Sequence, residues 1–225
     1  MIKVVLFDVD GTLLNFEKCA ERSMFTAAEK FNIKLPENII EVFHKINDGL
    51  WLKIEKKELT HAELRQIRWK LIFEEVGIDF DGPCFEELFF SYVSESAETF
   101  EGAVEIMEYV SKKYTVCVAS NALYDQQVRR LTKAGMYKYV TKMFVSERLG
   151  YPKPDYEFFE ACFKELGDVK KDEVIIIGDS ISADIKGGAD YGIKTCWFNP
   201  KNKEVPRDVK IDFTVNSLAE IKSIL

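Results

Sequence analysis

Three short apolar runs limit what this chain can fold into, because each stops abruptly at an acidic or hydroxyl-bearing turn. Val4–Phe7 ends at Asp8, Thr115–Ala119 ends at Ser120-Asn121, and Val174–Ile177 ends at Gly178-Asp179. Continuous apolar runs of this length, rich in β-branched residues, read as strands buried on both faces, which is the environment of a parallel sheet covered by helices. Weaker strand candidates are Met143–Val145, Thr195–Phe198 and Phe213–Val215. Helical patterns lie between them at Ala103–Lys112, Gln126–Ala134, Tyr156–Leu166, Ala183–Ala189 and Leu218–Leu225. This alternation predicts βαβ units and an α/β fold.

Residues from about Phe16 to Glu98 break the pattern. They contain no convincing strand and about four helical stretches: Glu17–Phe31, Glu37–Glu55, Thr60–Val76 and Cys84–Ser96. Thr60 and Glu63 have capping-box spacing, and Gly77 suits a helix end. The expected organisation is a core of residues 1–14 and 99–225 interrupted by an all-helical subdomain, 15–98. Hinges are expected where the chain crosses between them, near Leu14–Phe16 and Glu98–Gly102.

The 225 residues are 47% hydrophobic, enough for a sizeable core. The net charge of −7 gives no broad footprint for a nucleic acid polymer. No stretch approaches the roughly 20 apolar residues that span a bilayer. The apolar run after Met1-Ile2-Lys3 is too short for a signal peptide. A cytoplasmic protein with no membrane partner is expected, as a monomer or homodimer. The five cysteines are odd in number and form no CxxC pair, so buried thiols are expected rather than disulfides or zinc.

In open parallel sheets, ligands bind beyond the carboxyl ends of the strands. Asp8-Val9-Asp10-Gly11-Thr12, Ser120-Asn121 and Gly178-Asp179-Ser180 fall there, with Asp184 five residues after Asp179; Lys153 opens the helix before the third strong strand. Carboxylates gathered at one place repel unless a cation neutralises them, and Mg²⁺ favours oxygen ligands and phosphate. Asp8 is then a candidate nucleophile toward phosphorus and Asp10 a candidate acid/base. Gly11 permits a tight turn toward a phosphate, while Ser120 and Lys153 offer a hydroxyl and a point charge for the transition state. Each feature alone is commonly a turn, a cap or a solvated side chain; their joint placement at strand ends carries the argument.

With these residues in hand, the chain resembles the haloacid dehalogenase superfamily of phosphohydrolases. Asp8–Thr12 looks like its first motif, Ser120 its second, Lys153 its third, and Gly178-Asp179-Ser180 with Asp184 its fourth. The resemblance implies a Rossmann-like core with a helical cap and an aspartyl-phosphate intermediate. It also implies Mg²⁺ held by Asp8, Asp179, Asp184 and the Asp10 carbonyl. Gly11, Thr12, Ser120, Asn121 and Lys153 are the implied phosphate-binding set. Members that displace halide lack an acid at the position of Asp10, so phosphate esters are favoured over haloacids. Asn47–Trp51, Gln126–Arg129, Thr195–Asn199 and Thr214–Leu218 look like the noncanonical pyrimidine 5′-nucleotidase branch, which implies a small phosphorylated metabolite, a pyrimidine nucleotide, as substrate. Ala122 departs from the glycine many relatives carry.

Trp51 could stack on a base from the helical subdomain, although a Trp spaced with Leu50 and Ile54 reads first as core. His44 and His61 are expected to be solvated, and Arg65 and Arg68 to lie on an exposed salt-bridged face. The rival readings are a sugar-phosphate phosphatase or phosphomutase and, from another class, a non-enzymatic module that stores phosphate on an aspartate.

Overall fold

The computed structural model describes residues 1–225. The chain divides into two compact units, one made of Met1–Phe16 with Ala97–Leu225 and the other of Glu17–Ser96.

The first unit is a Rossmann-like α/β fold. Its strands are β1 (Val4–Phe7), β2 (Thr115–Ser120), β3 (Lys142–Val145), β4 (Val174–Gly178), β5 (Lys194–Phe198) and β6 (Phe213–Val215). They form one parallel sheet in the order β3-β2-β1-β4-β5-β6. Side chains alternate across it. Val5, Phe7, Val116, Val118, Ile175 and Ile177 face one core, whereas Val4, Leu6, Cys117, Ala119, Val174 and Ile176 face the other. Burial on both faces is why these runs are apolar throughout rather than alternating.

The second unit is all-helical: α1 (Phe16–Lys30, entering from the first unit), α2 (Ile39–Glu55), α3 (His61–Val76) and α4 (Gly82–Glu95). The expected capping box closes the start of α3, and Gly77 in the left-handed conformation ends it. Trp69 is fully buried among Phe43, Phe73, Phe85 and Phe89. Arg68, read from sequence as exposed, is 4% exposed instead. It donates to both Glu86 carboxylate oxygens, at 3.0 and 2.5 Å, and to Asn47 Oδ1 at 3.0 Å. Its place on the helix face that buries Leu64, Trp69 and Ile72 leaves it no route to water. Arg65 is half-buried, with its guanidinium 4.1 Å from the Phe90 ring centroid. Trp51 packs against the Leu50, Ile54 and Leu64 cluster and edge-on to His61, so neither ring is simply solvated.

The sheet is covered by α5 (Ala103–Ser111) and α6 (Tyr124–Lys133) on one face and by α8 (Tyr156–Leu166) and α9 (Gly187–Tyr191) on the other; the short α7 (Ser146–Leu149) follows β3. Two expected helices differ. Ala183–Ala189 is a π-helical turn, Ile181–Lys186, running into α9. The wider turn carries the buried Asp184 back to accept from the Ser180 N–H at 3.1 Å. Leu218–Leu225 is a 3₁₀ turn over Leu218–Ser223, whose three-residue repeat directs Leu218 and Ile221 into the same core. Of the cysteines, all free, Cys84 is exposed in the first turn of α4 rather than buried. No helix is long and apolar enough to cross a membrane.

Candidate active site

The sheet order places a topological switch between β1 and β4: the chain leaves β1 for β2 and β3 on one side and returns to β4 on the other. Loops diverge at such a point and leave a crevice beyond the strand ends. Asp8 follows β1, Ser120 ends β2, and Asp179 follows β4. The loop after β1 is pinned by the Asp8 N–H donating to the Ile177 carbonyl and by Gly11 N–H donating to the Leu14 carbonyl.

Lys153 ties the cluster together. Although 2% exposed, it donates all three ammonium protons: to Asp8 Oδ1 at 2.8 Å, to Asp184 Oδ1 at 2.6 Å and to the Ala119 carbonyl at 2.6 Å. It therefore meets the nucleophile candidate directly. Burial works against its charge, but Asp184 and Asp8 outweigh that and hold its pKa above the ordinary lysine value. Asn121 contacts the Lys153 backbone, accepting from its N–H and donating to its carbonyl, both at 2.8 Å.

Asp8, Asp179 and Asp184 bring carboxylate oxygens within 4.8 Å of one another. Asp8 Oδ2 is buried without a hydrogen-bond partner. Burial pushes the Asp8 carboxyl up to about 7; Lys153 opposes this and Asp184 adds to it. Asp179 is also held well above the ordinary range, first by burial and then by the charges of Asp8 and Asp184. Three acids against the single Lys153 ammonium leave two negative charges when all are ionised. Hard oxygen donors and two uncompensated negative charges fit one divalent cation such as Mg²⁺.

Two glycines make the cluster possible. Gly11 has φ +92°, and a Cβ there would overlap the Asp179 carboxylate; a Cβ on Gly178 would overlap that of Asp184. Thr12 donates from Oγ1 to Asp179 Oδ1 at 3.3 Å, and Trp197 Nε1 donates to the Asp179 carbonyl at 3.0 Å.

Asp10 faces a different set of groups. Its Oδ1 accepts from Arg130 Nη1 and its Oδ2 from Gln127 Nε2, both at 2.6 Å. Gln127 Nε2 also reaches Ser120 Oγ at 3.1 Å, and the Ala122 N–H reaches the same oxygen at 3.2 Å. With both lone pairs engaged, the Ser120 hydroxyl is left to donate. Gln127 and Arg130 were missed as site residues, since polar residues on a helix read as solvated. The available signal was their three-residue spacing on the face of α6 that also carries Leu131, a core residue.

Comparison with known proteins gives the family and the fold. The profile of the haloacid dehalogenase-like hydrolases matches residues 2–192. The HAD-hydrolase YfnB of Bacillus subtilis is 30% identical over 223 residues, covering 99% of this chain and 95% of its own. Pyrimidine 5′-nucleotidase PynA of Streptococcus pneumoniae is 28% identical over 224 residues, covering 99% and 94%. Pyrimidine 5′-nucleotidase YjjG of Escherichia coli is 24% identical over 225 residues, covering 98% and 96%. The crystal structure of the orthorhombic form of YfnB, bound to magnesium, superposes with a TM-score of 0.93 at 29% identity, covering 100% of this chain and 98% of that one.

Proposed function

This chain belongs to the haloacid dehalogenase-like hydrolases, and on that footing we propose that it hydrolyses small phosphomonoesters through a phosphate ester on Asp8, with pyrimidine nucleoside 5′-monophosphates as the preferred substrates. The observation that carries the chemistry is the Asp8 carboxylate: Oδ1 is held by Lys153, while buried Oδ2 has no partner. A carboxylate fixed at one oxygen presents the other as a nucleophile.

The reaction has two steps. Asp8 Oδ2 bonds to phosphorus as the bond to the ester oxygen breaks, and a proton from the Asp10 carboxyl passes to that oxygen to release the alcohol. Water then attacks phosphorus, gives its proton to Asp10, and the bond to Asp8 breaks to restore the carboxylate and release inorganic phosphate. Ser120 Oγ–H donates to a phosphate oxygen. Lys153 keeps Asp8 oriented and offsets charge at the cluster. Asp8, Asp179, Asp184 and the Asp10 carbonyl would hold Mg²⁺, which, when bound, neutralises the repulsion between phosphate and nucleophile.

The substrate class is supported by full-length similarity to PynA and YjjG, and the metal by the acid cluster and the magnesium-bound YfnB. The test is phosphate release from UMP, dUMP, dTMP, AMP and several sugar phosphates, with Mg²⁺ and with EDTA. Metal-dependent release, strongest on the pyrimidine nucleotides, is expected. Release mainly from sugar phosphates would replace the substrate class, and phosphate moved between sugar positions without release would indicate a mutase. A stable phosphoprotein that never releases phosphate would indicate a signalling module.

A further inference from the structure

We infer that Gln127 and Arg130 are positioning residues for the second half of the reaction, holding Asp10 as the base that activates water. The inference rests on the assignment of Asp10 as acid/base. Both Asp10 oxygens are occupied by donors at 2.6 Å, one from each residue. Held at both oxygens, the carboxylate has one fixed orientation in which to accept the proton of the attacking water.

The two donors are built in. Gln127 is 0% exposed and Arg130 1%, while the Asp10 side chain keeps 27% of its surface. The rigid partners are therefore inside the unit and the reacting group is at its rim. Arg130 Nη1 also lies 3.4 Å from Gln127 Oε1, so the donors brace one another. Gln127 bridges Asp10 and Ser120 through a single nitrogen, and α6 thus sets the separation between the base and the hydroxyl proposed to bind phosphate. A buried arginine on this face carries a desolvation cost that a leucine would not, and its Nη1 forms an ion pair with Asp10.

The test separates the two half-reactions with 4-nitrophenyl phosphate, whose leaving group needs no proton. Formation of the phosphoenzyme is then independent of Asp10, and hydrolysis of the phosphoenzyme is not. Arg130→Met and Gln127→Met are each expected to lower kcat about 10-fold to 10²-fold. In Arg130→Met the rate of the 4-nitrophenol burst and kcat/KM should stay within about 3-fold of wild type, whereas Gln127→Met, which also releases Ser120 Oγ, should lower both. Phosphoenzyme should accumulate, and Arg130→Lys should recover part of kcat. In an Asp10→Asn background Arg130→Met should add no further loss.

A parallel fall of kcat and kcat/KM in Arg130→Met would indicate a merely structural role and overturn the inference, as would a full additional loss in the Asp10→Asn background. If Arg130→Met does not fold, Arg130→Gln decides by the same readouts. Slow Asp10→Asn beside wild-type kcat in the helix variants overturns the inference alone. Asp10→Asn with wild-type phosphoenzyme hydrolysis overturns the acid/base assignment and the inference with it.

Discussion

Asn121 and Lys153 grip each other reciprocally: the Asn121 amide donates to the Lys153 carbonyl, and the Lys153 N–H donates to the Asn121 side-chain oxygen, both at 2.8 Å. The pair joins the end of β2 to the loop that delivers the Lys153 ammonium to Asp8. Asn121→Ala should cost about 1–3 kcal/mol, because it strands the backbone groups of Lys153. It should also lower kcat by roughly 10-fold to 10²-fold by letting the ammonium drift. KM should change little, and Asn121→Asp, which keeps the acceptor, should fall between. Steady-state kinetics and urea denaturation check this; a raised KM with kcat intact would instead make Asn121 a phosphate ligand.

Asp8→Asn should abolish turnover and stabilise the metal-free protein. The Asp8 carboxyl ionises near 3.8 when unfolded and is pushed up to about 7 in the fold, chiefly by burial, with Lys153 opposing and Asp184 adding. Between those values the folded state holds a proton that the unfolded state has lost. The contribution of this group is therefore full below about pH 4 and declines as pH rises to about 7. Asp179 is shifted the same way. In EDTA at pH 8, removing the Asp8 charge should add on the order of 1–3 kcal/mol, or about 2–4 °C per kcal/mol in Tm. Thermal melts from pH 4 to 8 should show a shallower decline for the variant. An unchanged slope would mean the buried charge is already compensated.

The fold was legible where burial is two-sided. Val4–Phe7 reads at residue resolution because a strand packed on both faces has no polar position to blur it. Asp8 and Asp179 were singled out because they follow buried apolar runs, and Asp184 by its place five residues after Asp179; the fold brings their carboxylates together. The buried polar residues were not, since Gln127, Arg130 and Arg68 sit on helices, where a charged side chain ordinarily reaches water. Only their spacing with core neighbours, Arg130 beside Leu131 and Arg68 four residues after Leu64, marked them as inward-facing. The π-helical turn at Ile181–Lys186 has no sequence period of its own, because it is fixed by what the Asp184 side chain must reach.

Arg68 yields a prediction independent of the active site. Glu86 is almost fully buried, and burial raises its pKa although Arg68 opposes the shift. Arg68→Met leaves that carboxyl buried without its cation and should destabilise the helical unit by about 3–5 kcal/mol. Arg68→Met with Glu86→Leu removes both partners and should recover most of the loss. Urea denaturation followed by Trp fluorescence, to which buried Trp69 contributes, reports it; a double variant no better than the single would mean that Asn47 or the aromatic contacts of Arg68 dominate.

Mg²⁺ should stabilise the protein by mass action, by about 2.7 kcal/mol at a concentration 100 times its Kd. The gain should grow from pH 6 to pH 8, because the Asp8 carboxyl is pushed up to about 7, Asp179 is raised in the same direction, and both must be ionised to take a cation. Asp179→Asn and Asp184→Asn each remove a member of the oxygen cluster and should erase most of the gain. Asp10→Asn should keep it, because the Asp10 carboxylate is directed to Gln127 and Arg130 and only its backbone is proposed to meet the ion. Thermal shifts of the four proteins across a Mg²⁺ titration distinguish these cases. A gain that survives Asp179→Asn would place the ion outside this cluster, whereas one lost in Asp10→Asn would bring that side chain into the metal site.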